Sequence, residues 1–219
     1  PSEPIKRHAL EGALGSVIQS VNTQELVKRG KLTKPIIKII EREYEAEGED
    51  QQLGYPEVYD KYIVFNKERN EKIKEVVEEI LNGAEKPRIL ILTKSLDHGR
   101  TLDNSFKGLQ CEFLEGAKSV GERYESISRF RHHGTGAILI GTRILQTGIN
   151  IEEITHFINA RGMKSEIATI QALGRALRVS DNKKEVYVYD FLDKEKYLSK
   201  HSRERINHYK KEGHEVKII

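Results

Sequence analysis

The residues with the clearest capacity for chemistry lie in Gln171-Ala172-Leu173-Gly174-Arg175-Ala176-Leu177-Arg178. Two arginines stand three positions apart, and on a helix that spacing projects both from one face, one turn after the other. Leu173, Ala176 and Leu177 are placed to pack inward behind them. A guanidinium recognises phosphate oxygens bidentately and stays charged at any working pH. The segment therefore suits two cations aimed at one anion. The same eight residues also fit an amphipathic helix whose arginines are only solvated, and taken alone they do not choose.

A second stretch, Ile140-Gly141-Thr142-Arg143-Ile144-Leu145-Gln146-Thr147-Gly148-Ile149-Asn150-Ile151, carries a polar turn out of an apolar run. Gly148 lets the backbone approach a ligand closely. Thr93-Lys94-Ser95, Glu115-Gly116-Ala117 and Ala160-Arg161-Gly162 are turns of the same character. Backbone N–H groups, hydroxyls and helix N-termini in such loops receive phosphates. The plainer roles are turn capping for Thr93 and Thr142 and a surface ion pair for Arg143. His132-His133 reads as exposed polar surface with nothing nearby to complete a metal site. The single cysteine, Cys111, lies in an apolar segment and reads as a small core residue.

The elements that must hold these groups follow from periodicity. Arg88 to Leu92, Cys111 to Leu114, Ala137 to Ile140, Thr155 to Ile158 and Glu185 to Phe191 are short apolar runs, as in strands buried on both faces. Helices are predicted between them: Asn66 as N-cap of a helix to Asn82 stopped by Gly83, Leu96 to Phe106, Val120 to Phe130 and Glu166 to Leu177. Upstream, Ile5 to Leu14 reads as a helix ending at Gly15 and Val17 to Val21 as a strand. Thr23 reads as the N-cap of a helix to Lys28, Ile36 to Tyr44 as a strand, and acidic Glu45 to Tyr55 as an exposed loop. Lys194 to Glu212 is a basic terminal helix, suited to a solvated face or a lid packed on the sheet rather than to a DNA-binding strip; Val216 to Ile219 is a short apolar end. Strands alternating with amphipathic helices imply right-handed crossovers and a mainly parallel sheet covered on both sides, an α/β architecture whose ligands bind beyond the carboxyl ends of the strands.

Composition limits the function classes. The 219 residues are 37% hydrophobic and 32% charged, enough for a core, with a net charge of +3 that permits nucleic-acid binding without demanding it. One cysteine excludes a disulfide framework and fits a reducing compartment. No run reaches the length of a membrane span, and the N-terminus has no secretory pattern.

The order Thr-x-Ser turn, strand-loop-Gly, Gly-Thr-Arg…Thr-Gly-Ile-Asn, Gln-x-x-Gly-Arg-x-x-Arg resembles motifs IV, IVa, V and VI of the second RecA-like domain of superfamily 2 helicases and translocases. Met163-Lys164-Ser165-Glu166-Ile167 resembles the branch containing phage UvsW-type helicases, repair helicases and type III restriction motor subunits. Pro1 resembles the last residue of motif III, Lys6 to Gly12 the segment after it, and His201 to Glu215 that branch's tail.

The resemblance implies a RecA-like three-layer sandwich of residues 66–193. A post-motif-III connector (residues 1–65) would pack on it, and a helix and tail (residues 194–219) would follow. It implies ATP bound between two RecA-like domains, with the first domain, N-terminal to Pro1 in the same polypeptide, holding the phosphates and Mg²⁺. Arg175 and Arg178 would be arginine fingers, with Gln171 orienting the network and Gly148 and Asn150 meeting the nucleotide. Asn150 stands where the family commonly has Asp and brings no charge. Thr93, Lys94, Ser95, Gly116, Thr142 and Arg143 would grip a nucleic-acid backbone, with DNA the expected partner in a cytoplasmic or nucleoid-associated protein. No Gly-x-x-x-x-Gly-Lys-Ser/Thr and no Asp-Glu box occurs in the sequence. The chain alone is therefore expected to be inactive toward ATP. Two other readings are a non-catalytic binding or regulatory module with a RecA-like fold and the motor subunit of a restriction complex.

Overall fold

In the computed structural model, residues 4–15, 21–41, 52–116, 118–142, 151–164, 173–180 and 183–219 are described. In chain order the elements are α1 (Pro4–Leu14), α2 (Thr23–Lys28), β1 (Lys34–Glu41), α3 (Tyr55–Tyr59), which runs on as a π-helical turn (Asp60–Val64), and α4 (Lys67–Gly83). Then come β2 (Arg88–Leu92), α5 (Leu96–Ser105), β3 (Cys111–Leu114), α6 (Val120–His132), β4 (Ala137–Gly141), β5 (His156–Asn159), β6 (Glu185–Leu192), α7 (Leu198–Lys211) and β7 (Val216–Ile218). The seven strands form one sheet in the order β3-β4-β2-β5-β6-β1-β7. Every neighbouring pair is parallel.

The strand sequences explain this arrangement. All five residues of β2 and of β4 are buried, as continuous apolar runs require in a sheet with two covered faces. The pleat divides them: Leu90 and Leu92 join one core with Ile127, Phe130, Leu173, Leu177 and Tyr209. Ile89 and Ile91 join the opposite core with Ile73, Val77, Leu102 and Phe106. Helices α6 and α7 and the helical residues 173–176 thus cover one face, and α4 and α5 the other.

Local signals position the helices. Asn66 caps α4, its side chain accepting from the Arg69 N–H at 2.7 Å. Ser119 and Glu122 close a capping box on α6. Gly99 lies inside α5 because Phe113 of β3 packs against it; a Cβ there would sit 2.5 Å from that ring.

Several expectations are corrected. The cap of α2 is Asn22, which accepts from the Glu25 N–H at 2.8 Å, while Thr23 is the first helical residue. Thr23 is instead buried against the far end of the chain, its hydroxyl bonded to Glu212 and His214. Tyr55, read as loop, starts α3. The apolar end at Val216 is a strand. Of the two readings given for the terminal helix, the packed one holds: Leu198, Ser202, Arg205 and Tyr209, at spacings of four, three and four, form the buried face of α7. Residues 17–20 of the strand expected at Val17 to Val21 and the greater part of the loop expected at Glu45 to Tyr55 lie outside the described residues, and Val21 itself is in no strand.

Candidate nucleotide and nucleic-acid interface

The loops at the carboxyl ends of β2, β3 and β4 gather on one edge because their strands are parallel neighbours. Directly after β2, Thr93 is fully buried; its N–H donates to the Gly141 carbonyl at 3.1 Å and its hydroxyl to the Ser95 carbonyl at 3.2 Å. Ser95 caps α5, accepting from the His98 N–H at 3.2 Å. Lys94, between them, is exposed, with its ammonium 4.3 Å from the Tyr59 ring centroid and 5.0 Å from that of Tyr55. This turn therefore offers one cation and the open end of a helix, with the threonine bracing it from beneath.

After β3, Gly116 is exposed and its carbonyl accepts from the Arg123 guanidinium at 3.0 Å. Thr142 follows β4 and is half-buried. Arg143, Gly148, Asn150 and Gln171 lie outside the described residues.

Arg175 and Arg178 do not share a helical face. Residues 173–176 are helical, with the Leu177 N–H closing the last turn on the Leu173 carbonyl at 2.9 Å. Arg178 already lies in an antiparallel bridge with Leu32. The Thr33 N–H donates to the Leu177 carbonyl at 2.7 Å and its hydroxyl to the Arg178 carbonyl at 3.3 Å. The chain before β1 thus stops this helix between the two arginines. Leu173, Ala176 and Leu177 are fully buried and fix the segment to the sheet. Arg175 is half-buried, and its guanidinium has no hydrogen-bond or ion-pair partner among the described residues.

Beneath the carboxyl ends of β5 and β6 lies a buried charged network that periodicity did not reveal. Arg205 straddles Asp190 with contacts of 3.0 to 3.1 Å and donates to the Met163 and Phe191 carbonyls. Tyr209 donates to Asp190 at 2.8 Å, and so does Asn159 at 2.9 Å. Arg161 donates to Asn159 at 2.9 Å, and Arg69 to Asp193 at 2.9 Å. Burial alone would lower the Arg205 pKa, but the Asp190 and Asp193 carboxylates raise it. Burial lowers that of Arg161 despite Tyr209 and Asp190. Two signals were readable: Asp190 interrupts an apolar strand, and Arg205 falls on the apolar stripe of its helix.

The other singled-out residues are placed plainly. Cys111 is half-buried against the core, and burial, with Asp103 beside it, pushes its thiol pKa up, away from reactive thiolate. His132 is exposed, and among the described residues no group of three or more His, Cys, Asp or Glu could hold a metal ion. No helix of the described residues is long and apolar enough to cross a membrane.

An all-parallel sheet with phosphate-suited turns at its carboxyl edge defines a class. The chain belongs to the helicase conserved C-terminal domain family, which matches residues 71–180. It is similar to the ATP-dependent DNA helicase uvsW of Enterobacteria phage T4, 26% identical over 218 residues, covering 90% of this chain and 43% of the relative. The crystal structure of T4 UvsW superposes with a TM-score of 0.68 at 22% identity, over 86% of this chain and 42% of that one. The ATP-dependent Type ISP restriction-modification enzyme LlaBIII, solved bound to DNA, gives 0.63 at 15% identity, over 95% and 17%. The fold is thus the RecA-like one of helicase C-terminal domains. The chain spans less than half the length of the curated relatives it matches.

Proposed function

We propose that this chain is the second motor domain of an ATP-dependent superfamily 2 DNA helicase or translocase. In this reading Arg175, with Arg178, is presented to the phosphates of ATP held by a partner RecA-like domain together with Mg²⁺. ATP supplies the phosphoryl group whose transfer drives the cycle. The domain's own part is electrostatic: a guanidinium aimed at the γ-phosphate neutralises charge that develops there, and such a finger is typically worth roughly 10³ to 10⁵ in rate. Gln171, Gly148 and Asn150 belong to the same proposed site.

The observation that carries this reading is Arg175 itself. Its helix is anchored by three fully buried apolar side chains, so the position is rigid, yet the half-buried guanidinium has no described partner. A structural arginine in such a place would be paired, as Arg69, Arg88 and Arg205 are. With no P-loop in its sequence, the chain has only half of a nucleotide site to offer.

At the carboxyl edge, Lys94, the α5 N-terminus at Ser95, Gly116, Thr142 and Arg143 are proposed to hold the nucleic-acid backbone, with Thr93 shaping the turn. Contacts to phosphate carry no sequence information, as a translocating motor requires. Closing of the two domains on ATP and opening after hydrolysis would move the strand by a step.

The test is ATP hydrolysis and strand separation by the protein at its full natural length, with and without Arg175→Ala and Arg178→Ala. A fall of roughly a thousandfold or more in either variant is expected. Unchanged rates in both would overturn the finger assignment.

A further inference from the structure

The turn that leads into α7 holds a tyrosine in a conformation tyrosines rarely adopt. Tyr197 has φ 63° and ψ −44°, and across it the Leu198 N–H donates to the Lys196 carbonyl at 2.7 Å. This is a γ-turn of the positive-φ form, which is rare and strained outside glycine. The ring so placed is 41% exposed. It meets Tyr55 edge-on, centroids 6.1 Å apart at 83°, and Tyr55 packs on Tyr59 at 5.9 Å. The His201 ring lies 5.3 Å from Tyr55 on the same cluster.

Cations alternate with these rings. Lys94 lies over Tyr55 and Tyr59, and Lys196 lies 4.9 Å from the Tyr197 ring centroid while donating to the Leu53 carbonyl at 2.9 Å. Three separate stretches of chain are brought together here, one just beyond β2 and one just beyond β6, so the cluster sits on the carboxyl edge beside the Thr93-Lys94-Ser95 turn. Each nucleotide of a single strand offers one flat π-face and one phosphate. Aromatic rings interleaved with ammonium groups match that repeat, whereas a duplex keeps its bases stacked inside.

We propose that Tyr197, braced edge-on by Tyr55, is a stacking platform for one unpaired base of a single-stranded nucleic acid whose phosphates lie against Lys94 and Lys196. This rests on the reading of the carboxyl edge as a nucleic-acid interface, and it adds that the edge holds a base as well as the backbone.

The test uses the full-length protein, a short oligothymidylate carrying 2-aminopurine at successive positions, and the same strand with single abasic sites. Stacking should quench 2-aminopurine at one position, and an abasic site there should weaken binding about tenfold. Tyr197→Ala should lose the quenching, bind the intact strand about tenfold more weakly, and ignore the abasic site; Tyr197→Phe should behave as wild type. Because Tyr197→Ala keeps the backbone strain and Tyr197→Gly relieves it, the glycine variant should melt higher while binding no better. Equal affinity of Tyr197→Ala and wild type for the intact strand, or quenching that survives the substitution, would overturn the platform. Should Arg175→Ala cripple hydrolysis while no position is quenched, the platform fails and the motor stands. Quenching that depends on Tyr197 with hydrolysis indifferent to Arg175 would give the reverse. Oligouridylate in place of oligothymidylate distinguishes RNA from DNA as the source of the base.

Discussion

The ammonium of Lys183 caps the helical segment that carries Arg175, donating to the Ala176 carbonyl at 3.2 Å. On its other side it donates to the Glu152 carbonyl at 2.6 Å. One side chain thus ties the segment that follows residues 143–150 to the end of the arginine helix, and a cation at a helix C-terminus is favourable in its own right. Burial lowers the Lys183 pKa to about 8 against the pull of Glu152 and Glu153. Lys183→Met removes both bonds, and two carbonyls lose their donor. The expected loss is about 1 to 3 kcal/mol, read as a lower urea midpoint with an unchanged slope. An unshifted midpoint would show that the tie contributes nothing to stability.

Arg175 is expected to separate stability from activity. With no partner among the described residues, its truncation to alanine should move unfolding free energy by no more than about 0.5 kcal/mol. The same variant should lose hydrolysis in the full-length protein. Calorimetry beside steady-state kinetics checks the pair; a large drop in melting temperature would assign Arg175 to the fold instead.

Arg205 should behave in the opposite way. It and Asp190 are each about 1% exposed, so Arg205→Leu strands a carboxylate in the interior. Breaking one side of such a pair costs about 3 to 5 kcal/mol. Adding Asp190→Asn removes the orphaned charge and should recover part of that loss, leaving a positive coupling in a double-mutant cycle from denaturant unfolding. Strict additivity would argue against a shared network.

Acid should destabilise the domain through its buried histidines. Burial, helped by Arg69, lowers the His98 pKa to about 3, and burial, helped by Lys38, lowers that of His156 to about 4. Both lie below the ordinary value of 6.5, so between those limits the unfolded chain binds protons that the folded one refuses. Stability is then fully present above about pH 6.5 and falls as pH drops toward 4 and 3. The slope is about 1.4 kcal/mol per pH unit for each histidine. His98→Gln, which can still donate to the Asn70 side chain, should flatten the profile between pH 4 and 6. A variant as steep as the wild type would remove His98 from the account.

The sheet was legible because its strands are apolar runs with no competing period: Arg88 to Leu92 and Cys111 to Leu114 begin and end where the sequence puts them. The carboxyl-edge turns followed from the parallel order. What periodicity missed depends on distant partners. Arg205 counts as one more basic residue until Asp190 is brought beneath it. Helix α3 and its π-helical turn occupy a stretch whose sole local signal is Pro56 at a helix start. The arginine helix stops at Ala176, within one residue of the expected end at Leu177, but the pairing of Leu32 and Thr33, far away in sequence, with Arg178 and Leu177 is information that no window around Gln171 contains.

The place of β1 has a consequence for synthesis. Of the seven described strands it is translated first, yet both its neighbours come last: Lys34 aligns with Glu185 and Ile37 with Val216. While the ribosome makes residues 42–184, β1 has neither partner, although β2, β3 and β4 can already pair. Its edges stay open until β6 has emerged, so a late step in assembling this sheet is the burial of the earliest of its described strands. A pause in elongation before residue 185 would prolong that exposure, and one after residue 219 would not.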